Sequence, residues 1–192
     1  MEYYLDLEST GLSPEEDKII TLQYQPLDKE GNPDGNLIIL KEWEIGEEEI
    51  IKRFLYIFKK WEFIPVGMNL SFDFRFLLAK IEKYTGKIIE YDELSNIPHL
   101  DIKPILVLMN GGNFKGAKLS NFTSKGQNGI AIPEYYKNKE YDKIIGYVEK
   151  EADEFIKFYK YIKANLVLLK PELGVKNGSN WINEKRNVKE KI

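Results

Sequence analysis

The sequence of 192 residues is long enough for one well-buried domain and short for two. Its composition, 43% hydrophobic and 31% charged, is typical of a globular protein and excludes a disordered or fibrous chain. The net charge of −3 argues against a uniformly basic nucleic-acid-coating protein, and the lack of cysteine excludes disulfides, a thiolate nucleophile and a zinc–thiolate site.

The first predicted element is a strand that carries two acids, in the segment YLDLESTGL at residues 4 to 12. Side chains alternate between the faces of a strand, so Asp6 and Glu8 would share one face. Like charges at that spacing repel and raise each other's pKa unless a cation joins them. Alternation alone favours an edge strand with a solvated polar face, and a cation site is the alternative interpretation.

Two further strands and a helix are predicted next. The segment KIITLQYQ at 18 to 25 alternates apolar and polar residues, which indicates a half-buried strand. A third strand, LIILKEW, follows the turn-rich DKEGNPDGN, so the three strands should form an antiparallel meander. The segment EEEIIKRFLYIFKKW begins with acids and ends with lysines, as the dipole of a helix favours.

The middle of the chain predicts a crossover unit and the end of it a long helix. FIPVGMN suits a buried parallel strand, and the following LSFDFRFLLAKIEKYTG suits a helix that ends at Gly86. Residues 97 to 123 look like short helices around the glycine-rich NGGNFKGAK. From about 140 to 169, apolar residues recur at spacings of three and four, which predicts a helix.

These elements predict one domain over residues 1–173, followed by a mobile basic tail at 174–192. The tail carries five Lys or Arg against two Glu, which makes it +3 and the rest of the chain −6. The longest apolar runs are far too short to cross a bilayer, and the first residues show neither a basic start nor a cleavage site. We therefore expect a cytoplasmic protein without a membrane partner.

A candidate acid follows the buried strand. Asp73 falls in the first turn of the helix, where a side chain projects over the carboxyl ends of the strands. The alternative is an acid that only favours the helix dipole. Asn69 or Ser71 could cap the helix and so leave Asp73 for another role.

Another candidate acid lies on the last helix. Tyr147 and Glu151 are four residues apart and so occupy neighbouring positions of one helix face. Glu151 flanks the apolar stripe, whereas Asp153 lies on the opposite side, towards solvent. Glu151 is therefore the acid expected to face the domain, and a solvated side chain is the alternative interpretation.

Together these residues resemble the DEDD superfamily of 3′ to 5′ exonucleases, whose RNase H-like fold also serves as the proofreading domain of DNA polymerases. Its first motif, Asp-x-Glu before a Thr-Gly loop, is matched by DLESTGL, and its second, an Asn followed by Phe-Asp, by NLSFD. The third motif of the tyrosine branch, Tyr-x-x-x-Asp, is matched by YVEKE, with Glu in place of Asp. The single histidine, His99, precedes this motif by about fifty residues and excludes the histidine branch. The matching residues are Asp6, Glu8, Thr10, Gly11, Leu12, Asn69, Phe72, Asp73, Tyr147 and Glu151.

The resemblance implies an α/β fold: an RNase H-like mixed sheet, with the meander and parallel strands flanked by helices. It also implies two divalent cations, Mg²⁺ or Mn²⁺, about 4 Å apart at the scissile phosphate. Asp6 would bridge both ions, and Glu8 and Glu151 would complete the ion that activates the attacking water. Asp73 would hold the other ion or support the ligands. Tyr147, a poor base at neutral pH, would orient the water.

The implied substrate is a 3′ end of single-stranded DNA. By the resemblance, Thr10, Gly11 and Leu12 contact the terminal nucleotide, and Asn69 and Phe72 are expected at the same site. A single strand is also held by cations and stacked aromatic rings. The segment NFKGAKLSNFTSKG could supply both, and the alternative is a flexible loop with solvated lysines. Its cations are Lys115, Lys118 and Lys125, and its aromatic residues are Phe114 and Phe122.

Two other functions stay open at this point. The same motifs serve a 3′ to 5′ exoribonuclease, and no residue identifies a contact to the 2′-hydroxyl. Glu151 departs from the motif by one methylene, so a catalytically weak nucleic-acid-binding domain of the same fold is the other alternative. A replication or repair protein is the expected class of protein partner.

Overall fold

The computed structural model of the chain describes residues 1–58, 63–89, 96–122 and 129–172. These ranges contain five strands and six α-helices, with single turns of 3₁₀ helix at Leu119–Asn121 and Gly129–Ala131. The strands are β1 (Glu2–Ser9), β2 (Ile19–Leu27), β3 (Ile38–Lys41), β4 (Ile64–Gly67) and β5 (Leu100–Asp101). The helices are α1 (Glu42–Ile45), α2 (Glu47–Phe58), α3 (Leu70–Thr85), α4 (Lys103–Met109), α5 (Ile132–Lys137) and α6 (Tyr141–Glu172). The predicted basic tail, 174–192, lies outside the described residues.

The strands form one mixed sheet in the order β3-β2-β1-β4-β5. β1 and β2 pair antiparallel, as do β2 and β3, so the predicted meander is confirmed. β4 pairs parallel to β1 and β5 parallel to β4. The prediction of short helices between 97 and 123 is wrong at Leu100–Asp101, which form β5, because two residues are too few to produce a strand pattern.

Hydrophobic residues cover both faces of this sheet. On one face, Leu5 and Leu7 of β1 pack in a cluster with residues of α2 and α3 such as Phe54 and Leu77. On the other face, Tyr4 packs in a second cluster with residues of α4 and α6, and its ring lies 4.9 Å from that of Phe155. β1 is therefore a central, sandwiched strand, and its interpretation as a solvated edge strand is wrong.

A bulge in β2 explains why its simple alternation is misleading. The β1–β2 register shifts between Glu8 and Ser9, and Ile20 is the extra residue opposite them. Ile19 consequently packs with the α2–α3 face, while Ile20 packs beside Tyr147 of α6. The predicted half-buried strand is wrong in this part, since Ile19 to Gln23 are all buried.

The helices follow the predictions closely. α3 ends at Gly86, whose φ of 66° is the left-handed conformation that glycine adopts readily, and α6 spans the predicted long helix. The prediction that Glu42 and Trp43 continue the third strand is wrong, because they begin the short helix α1. None of the helices in the described ranges combines enough length and apolar character to span a bilayer.

Candidate active site

Three carboxylates from the two ends of the chain meet at the site. One oxygen each from Asp6, Glu8 and Glu151 lies within 4.8 Å of the others. β1 brings Asp6 and Glu8 to the face that α6 crosses, and α6 directs Glu151 towards them. All three residues are partly buried, whereas the side chain of Asp153 is 76% exposed. The predicted orientations of Glu151 and Asp153 are both confirmed.

The Asp6 carboxylate is held by two neighbours on the same face. Gln23, which is opposite Asp6 in the β1–β2 register, donates from Nε2 to Asp6 Oδ2 at 2.8 Å. The hydroxyl of Tyr4 donates to the same oxygen at 3.3 Å. Burial, together with the charge of Asp6, raises the pKa of Tyr4 well above its usual value, so this hydroxyl keeps its proton. Both residues were missed by the sequence analysis, in which they were ordinary strand residues.

Asp73 supports β1 at the point where its parallel partner ends. The pairing of β4 with β1 stops at Tyr4 on the β1 side, and Asp73 Oδ1 then accepts the backbone N–H of Leu7 at 3.0 Å. The side chain is buried, and this desolvation, followed by the charge of Asp6, raises its pKa well above the usual range. Asp73 is therefore close to Asp6 without belonging to the group within 4.8 Å.

The start of α3 is fixed by a residue of β5. Asp101 accepts the backbone N–H of Asn69 at 2.8 Å and that of Leu70 at 3.1 Å. Asn69 has a left-handed φ of 65° and makes no capping hydrogen bond with its side chain. Of the two predicted caps, Asn69 or Ser71, Asn69 occupies the N-cap position, but its side chain makes no cap, because Asp101 of a strand distant in sequence accepts the first N–H groups. Asp101 fixes the turn from which Asp73 projects.

Tyr147 lies beside Glu8 and Glu151, as its spacing on α6 predicts. Burial, followed by the negative charges of Glu151 and Glu8, raises its pKa, so the phenol stays protonated and donates. Gly129 lies close to both Tyr147 and Glu8: a Cβ there would lie 3.1 Å from Tyr147 Oη and 3.4 Å from Glu8 Oε2. No motif pointed to Gly129, since the approach is visible only in three dimensions.

The loop that follows β1 is organised around Asp17. Thr10 Oγ1 donates to Asp17 Oδ1 at 3.1 Å, and the backbone N–H of Ser13 donates to Asp17 Oδ2 at 2.9 Å. Gly11 has no space for a side chain, because a Cβ would lie 2.3 Å from Asp17 Oδ2. Leu12 points outward and is 83% exposed. The loop is therefore held by the hydrogen bonds of Thr10 and Ser13 to Asp17, and it leaves Leu12 available for contact.

A buried ion pair lies below this loop. Lys80, 1% exposed, donates to the backbone carbonyl of Asp17 at 2.5 Å, and its Nζ lies 3.7 Å from Glu47 Oε1. Glu47 also accepts the backbone N–H of Ile19 at 2.8 Å and the hydroxyl of Tyr84 at 2.5 Å. This pair joins α2 to α3 and fastens the loop to the core, and no sequence pattern predicted it.

The predicted substrate residues beyond the loop are distributed differently. Phe72 is partly buried against Phe76, with ring centroids 4.9 Å apart, and Phe122 packs near Phe158. Phe114 is 70% exposed, with Lys103 Nζ 4.6 Å from its ring centre. Lys115 and Lys118 are exposed, and Asn69 is exposed at the start of α3. Lys125 lies outside the described residues.

The glycine-rich loop is tied down by asparagine side chains. Asn110 Nδ2 donates to the carbonyls of Asn113 at 2.7 Å and Lys115 at 3.0 Å, and Asn121 Nδ2 donates to that of Gly116 at 2.6 Å. Lys103 Nζ donates to the carbonyl of Ala117 at 2.5 Å. These bonds favour a defined conformation over the flexible loop that was the alternative interpretation.

The residues of the site fit a hard divalent cation. Carboxylate oxygens are the ligands that Mg²⁺ and Mn²⁺ prefer, and three of them lie close enough to share one ion. Without a cation, their charges would repel one another in a partly desolvated position. Asp6, Glu8 and Glu151 are thus the residues that could hold the ion.

Comparisons with known proteins identify the fold. No protein-family model and no curated protein matches the sequence. Among similar solved structures is E. coli exonuclease I in its zinc-bound form with single-stranded DNA, 13% identical, covering 85% of this chain and 40% of its own, at a TM-score of 0.61. Another exonuclease I structure is 13% identical over 62% of this chain and 34% of its own, at a TM-score of 0.52. A complex of exonuclease I with SSB-Ct is 12% identical over the same shares, at 0.50.

This chain spans 34 to 40% of the length of these exonuclease I chains. At such low identity the likeness concerns the fold. The mixed five-stranded sheet, with its meander, its parallel strands and its flanking helices, is the architecture that the motifs predicted. The chain has the α/β, RNase H-like fold of the exonuclease I structures.

Proposed function

We propose that this chain is a metal-dependent 3′ to 5′ exonuclease that hydrolyses phosphodiester bonds at the 3′ ends of single-stranded DNA. The observation that carries the proposal is the approach of Glu151 to Asp6 and Glu8, with carboxylate oxygens within 4.8 Å. Such a group, on a fold shared with exonuclease I, supports metal-assisted hydrolysis. A negatively charged phosphate can approach three carboxylates only if bound cations offset the repulsion.

We propose different metal-binding roles for the four acids. Asp6 is the ligand proposed to bind both ions, and Glu8 and Glu151 would complete one of them. Bound Mg²⁺ or Mn²⁺ would lower the pKa of a water and stabilise the charge that develops on the phosphate. Asp73 would hold the other ion or act through β1, because its Oδ1 accepts the N–H of Leu7 one residue from Asp6.

Tyr147 is proposed to orient the attacking water. The usual pKa of a phenol, about 10, makes Tyr147 a poor general base at neutral pH, and burial raises that pKa further. We therefore assign it the role of a hydrogen-bond donor to the water. The position beside Glu8 and Glu151 suits that role. Gly129 would keep this space open, since a larger residue there would contact the Tyr147 hydroxyl.

The substrate would enter across exposed groups around the acids. Leu12 is proposed to contact the terminal base, with the backbone at Gly11 and Thr10 shaping its loop, and Asn69 and Phe72 are proposed at the same end of the sheet. The exposed Phe114, Lys115 and Lys118 would hold the strand farther from the 3′ end by stacking and charge. A replication or repair protein is the proposed class of partner, which the exonuclease I complex with SSB-Ct supports.

The test is the degradation of 5′-labelled single-stranded DNA and of RNA of the same sequence, in Mg²⁺ or Mn²⁺. We expect stepwise shortening of the DNA from its 3′ end, abolished by a chelator and by Asp6→Ala. Faster shortening of the RNA would instead favour the exoribonuclease. Binding of both polymers without shortening of either would contradict the proposal and favour a binding domain.

A matched pair of variants on α6 tests the site itself. Glu151→Gln and Asp153→Asn each remove one negative charge from the same helix, one facing the acids and one facing solvent. We expect Glu151→Gln to lose about two orders of magnitude in rate, as is common for a displaced group at a catalytic centre. Asp153→Asn should keep the wild-type rate. Equal rates for both variants would remove Glu151 from the proposed site.

A further inference from the structure

Gln23 occupies an unusual position behind the proposed metal ligands. Its side chain is fully buried on the face of β2 that carries Thr21, opposite Asp6 and Glu8. Its Nε2 donates to Asp6 Oδ2 at 2.8 Å. The orientation of the amide is determined by chemistry, because the reversed amide would direct its oxygen at a carboxylate oxygen.

The oxygen of the Gln23 amide differs from its nitrogen in hydrogen bonding. Among the residues that the structure describes, Gln23 Oε1 is buried without a hydrogen-bond partner, and so is the hydroxyl of Thr21 two residues away. A buried acceptor without a partner destabilises a fold, and an apolar side chain of similar size would avoid that cost. The amide is therefore poorly explained by stability and well explained by its bond to Asp6.

The bond from Gln23 is reinforced by the hydroxyl of Tyr4, which donates to the same Asp6 oxygen at 3.3 Å. A carboxylate oxygen accepts along two lone-pair directions, so Oδ2 can accept both donors at once. Donors to a ligating carboxylate fix its rotation and are a recurring feature of metal sites.

We propose that Gln23 and Tyr4 are positioning residues that fix the rotation of the Asp6 carboxylate for binding of a divalent cation together with Glu8 and Glu151. This inference rests on the proposed function, since it assigns the orientation of one of its metal ligands. Neither residue touches substrate. The buried oxygen of Gln23 destabilises the fold, whereas its amide nitrogen holds the Asp6 ligand in a fixed orientation. The contribution of Gln23 is therefore to metal affinity and not to the stability of the metal-free protein.

The experiment uses the full chain and Mn²⁺ alone as the probe. Mn²⁺ affinity is measured by calorimetric titration, and metal-free thermal unfolding is measured on the same samples. The variants are Gln23→Met, which keeps the volume and removes the donor, and Tyr4→Phe, which removes only the hydroxyl. Thr21→Val is the matched control, because it removes the other unpartnered polar atom of the same strand face.

We expect Gln23→Met to weaken Mn²⁺ binding about tenfold or more. Its metal-free melting temperature should stay within about 3 °C of the wild type, since the lost bond and the removed orphan oxygen offset each other. Tyr4→Phe should weaken Mn²⁺ binding by a smaller factor. If Gln23→Met does not fold, the affinity of Tyr4→Phe is the result that tests the inference. Thr21→Val should bind Mn²⁺ like the wild type. The KM for an oligonucleotide at saturating Mn²⁺ should not change in any of them.

Two results would overturn the inference alone: wild-type Mn²⁺ affinity in both Gln23→Met and Tyr4→Phe, or an equal loss of affinity in Thr21→Val. A loss of metal-free stability in Gln23→Met with unchanged Mn²⁺ affinity would assign Gln23 a purely structural role. A folded wild type that binds no Mn²⁺ would overturn the proposed function, and this inference with it.

Discussion

At the scale of single residues, the site combines acids whose environments differ. Asp6, Glu8 and Glu151 are partly exposed and lie together, whereas Asp73 is buried and accepts a backbone N–H. A buried carboxyl close to another carboxylate favours its neutral form, so its pKa rises. Asp73, the most buried of these four acids, is therefore the one whose protonation should change the free energy of unfolding most.

Asp73→Asn should make the metal-free protein less sensitive to pH. The pKa of Asp73 is higher in the folded state than its usual value of 3.8. At pH values above 3.8 the folded state therefore binds more protons than the unfolded state. Wild-type stability consequently falls as pH rises through this window, and Asn, which keeps an acceptor for Leu7, avoids the loss. Urea unfolding with a chelator should show a stability gain of the variant that grows from pH 4 to pH 8, by about 1.4 kcal/mol per unit of raised pKa.

A parallel series in Asp153→Asn provides the control, since this acid is exposed on the far side of α6. Its stability should follow the wild-type pH profile. A gain for Asp73→Asn that is constant from pH 4 to pH 8 would contradict the assignment of the titration to Asp73.

At the scale of elements, α6 sets the length of the side chain that can reach β1. Asp is typical of the third motif, yet Glu151 already brings its oxygen within 4.8 Å of Asp6 and Glu8. The departure from the motif is thus compatible with the position of the helix. α6 itself is fixed by apolar contacts, including Tyr4 with Phe155, and cannot easily approach β1.

Glu151→Asp should weaken the site even though it restores the typical residue of the motif. The carboxylate would withdraw from the other two acids by about 1.5 Å, the length of one carbon–carbon bond. We expect about tenfold weaker Mn²⁺ binding and a fall in nuclease rate of about a hundredfold. A rate equal to or above that of the wild type would mean that α6 can shift towards β1 and that the natural Glu is a handicap.

The ion pair between α2 and α3 should be essential for stability. Lys80→Met would leave Glu47, which is 4% exposed, without its buried cation, and the loop carbonyl of Asp17 without its donor. Removal of one partner from a buried pair costs about 3 kcal/mol, which urea unfolding can measure. The double variant Lys80→Met with Glu47→Gln should recover part of the loss. No recovery would show that the bond to Asp17 carries the stabilisation.

At the scale of the whole molecule, the candidate metal ligands connect the first strand to the last helix. Asp6 and Glu8 lie on β1, and Glu151 lies on α6. A cation bound by all three would join the two ends of the described fold, in addition to the hydrophobic contacts between them. Metal binding should therefore stabilise the entire domain, since a site assembled from distant segments exists only in the folded state.

Mn²⁺ should raise the melting temperature of the wild type. At a concentration one hundred times the Kd, binding adds about 2.7 kcal/mol, which corresponds to a rise of about 5–10 °C for a chain of this size. Asp6→Asn should melt higher than the wild type without metal, because it relieves repulsion, and should show no rise with Mn²⁺. A similar rise in both proteins would place the Mn²⁺ outside this group of acids.

The sequence by itself determined the order and type of most elements, and it predicted acids of which Asp6, Glu8 and Glu151 lie together in the fold. Alternation gave the faces of β1, helical spacing gave the orientation of Glu151, and the three motifs predicted the fold that the comparison with exonuclease I supports. These signals are local: each depends on a periodicity or a spacing within one segment. The substrate, the number of ions and the roles of Leu12, Lys115 and Lys118 stay predictions.

Only the tertiary structure decided which residues support those acids. The bulge that turns Ile20 towards α6, the cap from Asp101 and the bond from Gln23 to Asp6 all join segments that are distant in sequence. No periodicity announces such a contact, because it depends on how β2, β5 and α6 pack against β1. The sequence therefore identified the residues proposed for the chemistry, and packing decided how they are held.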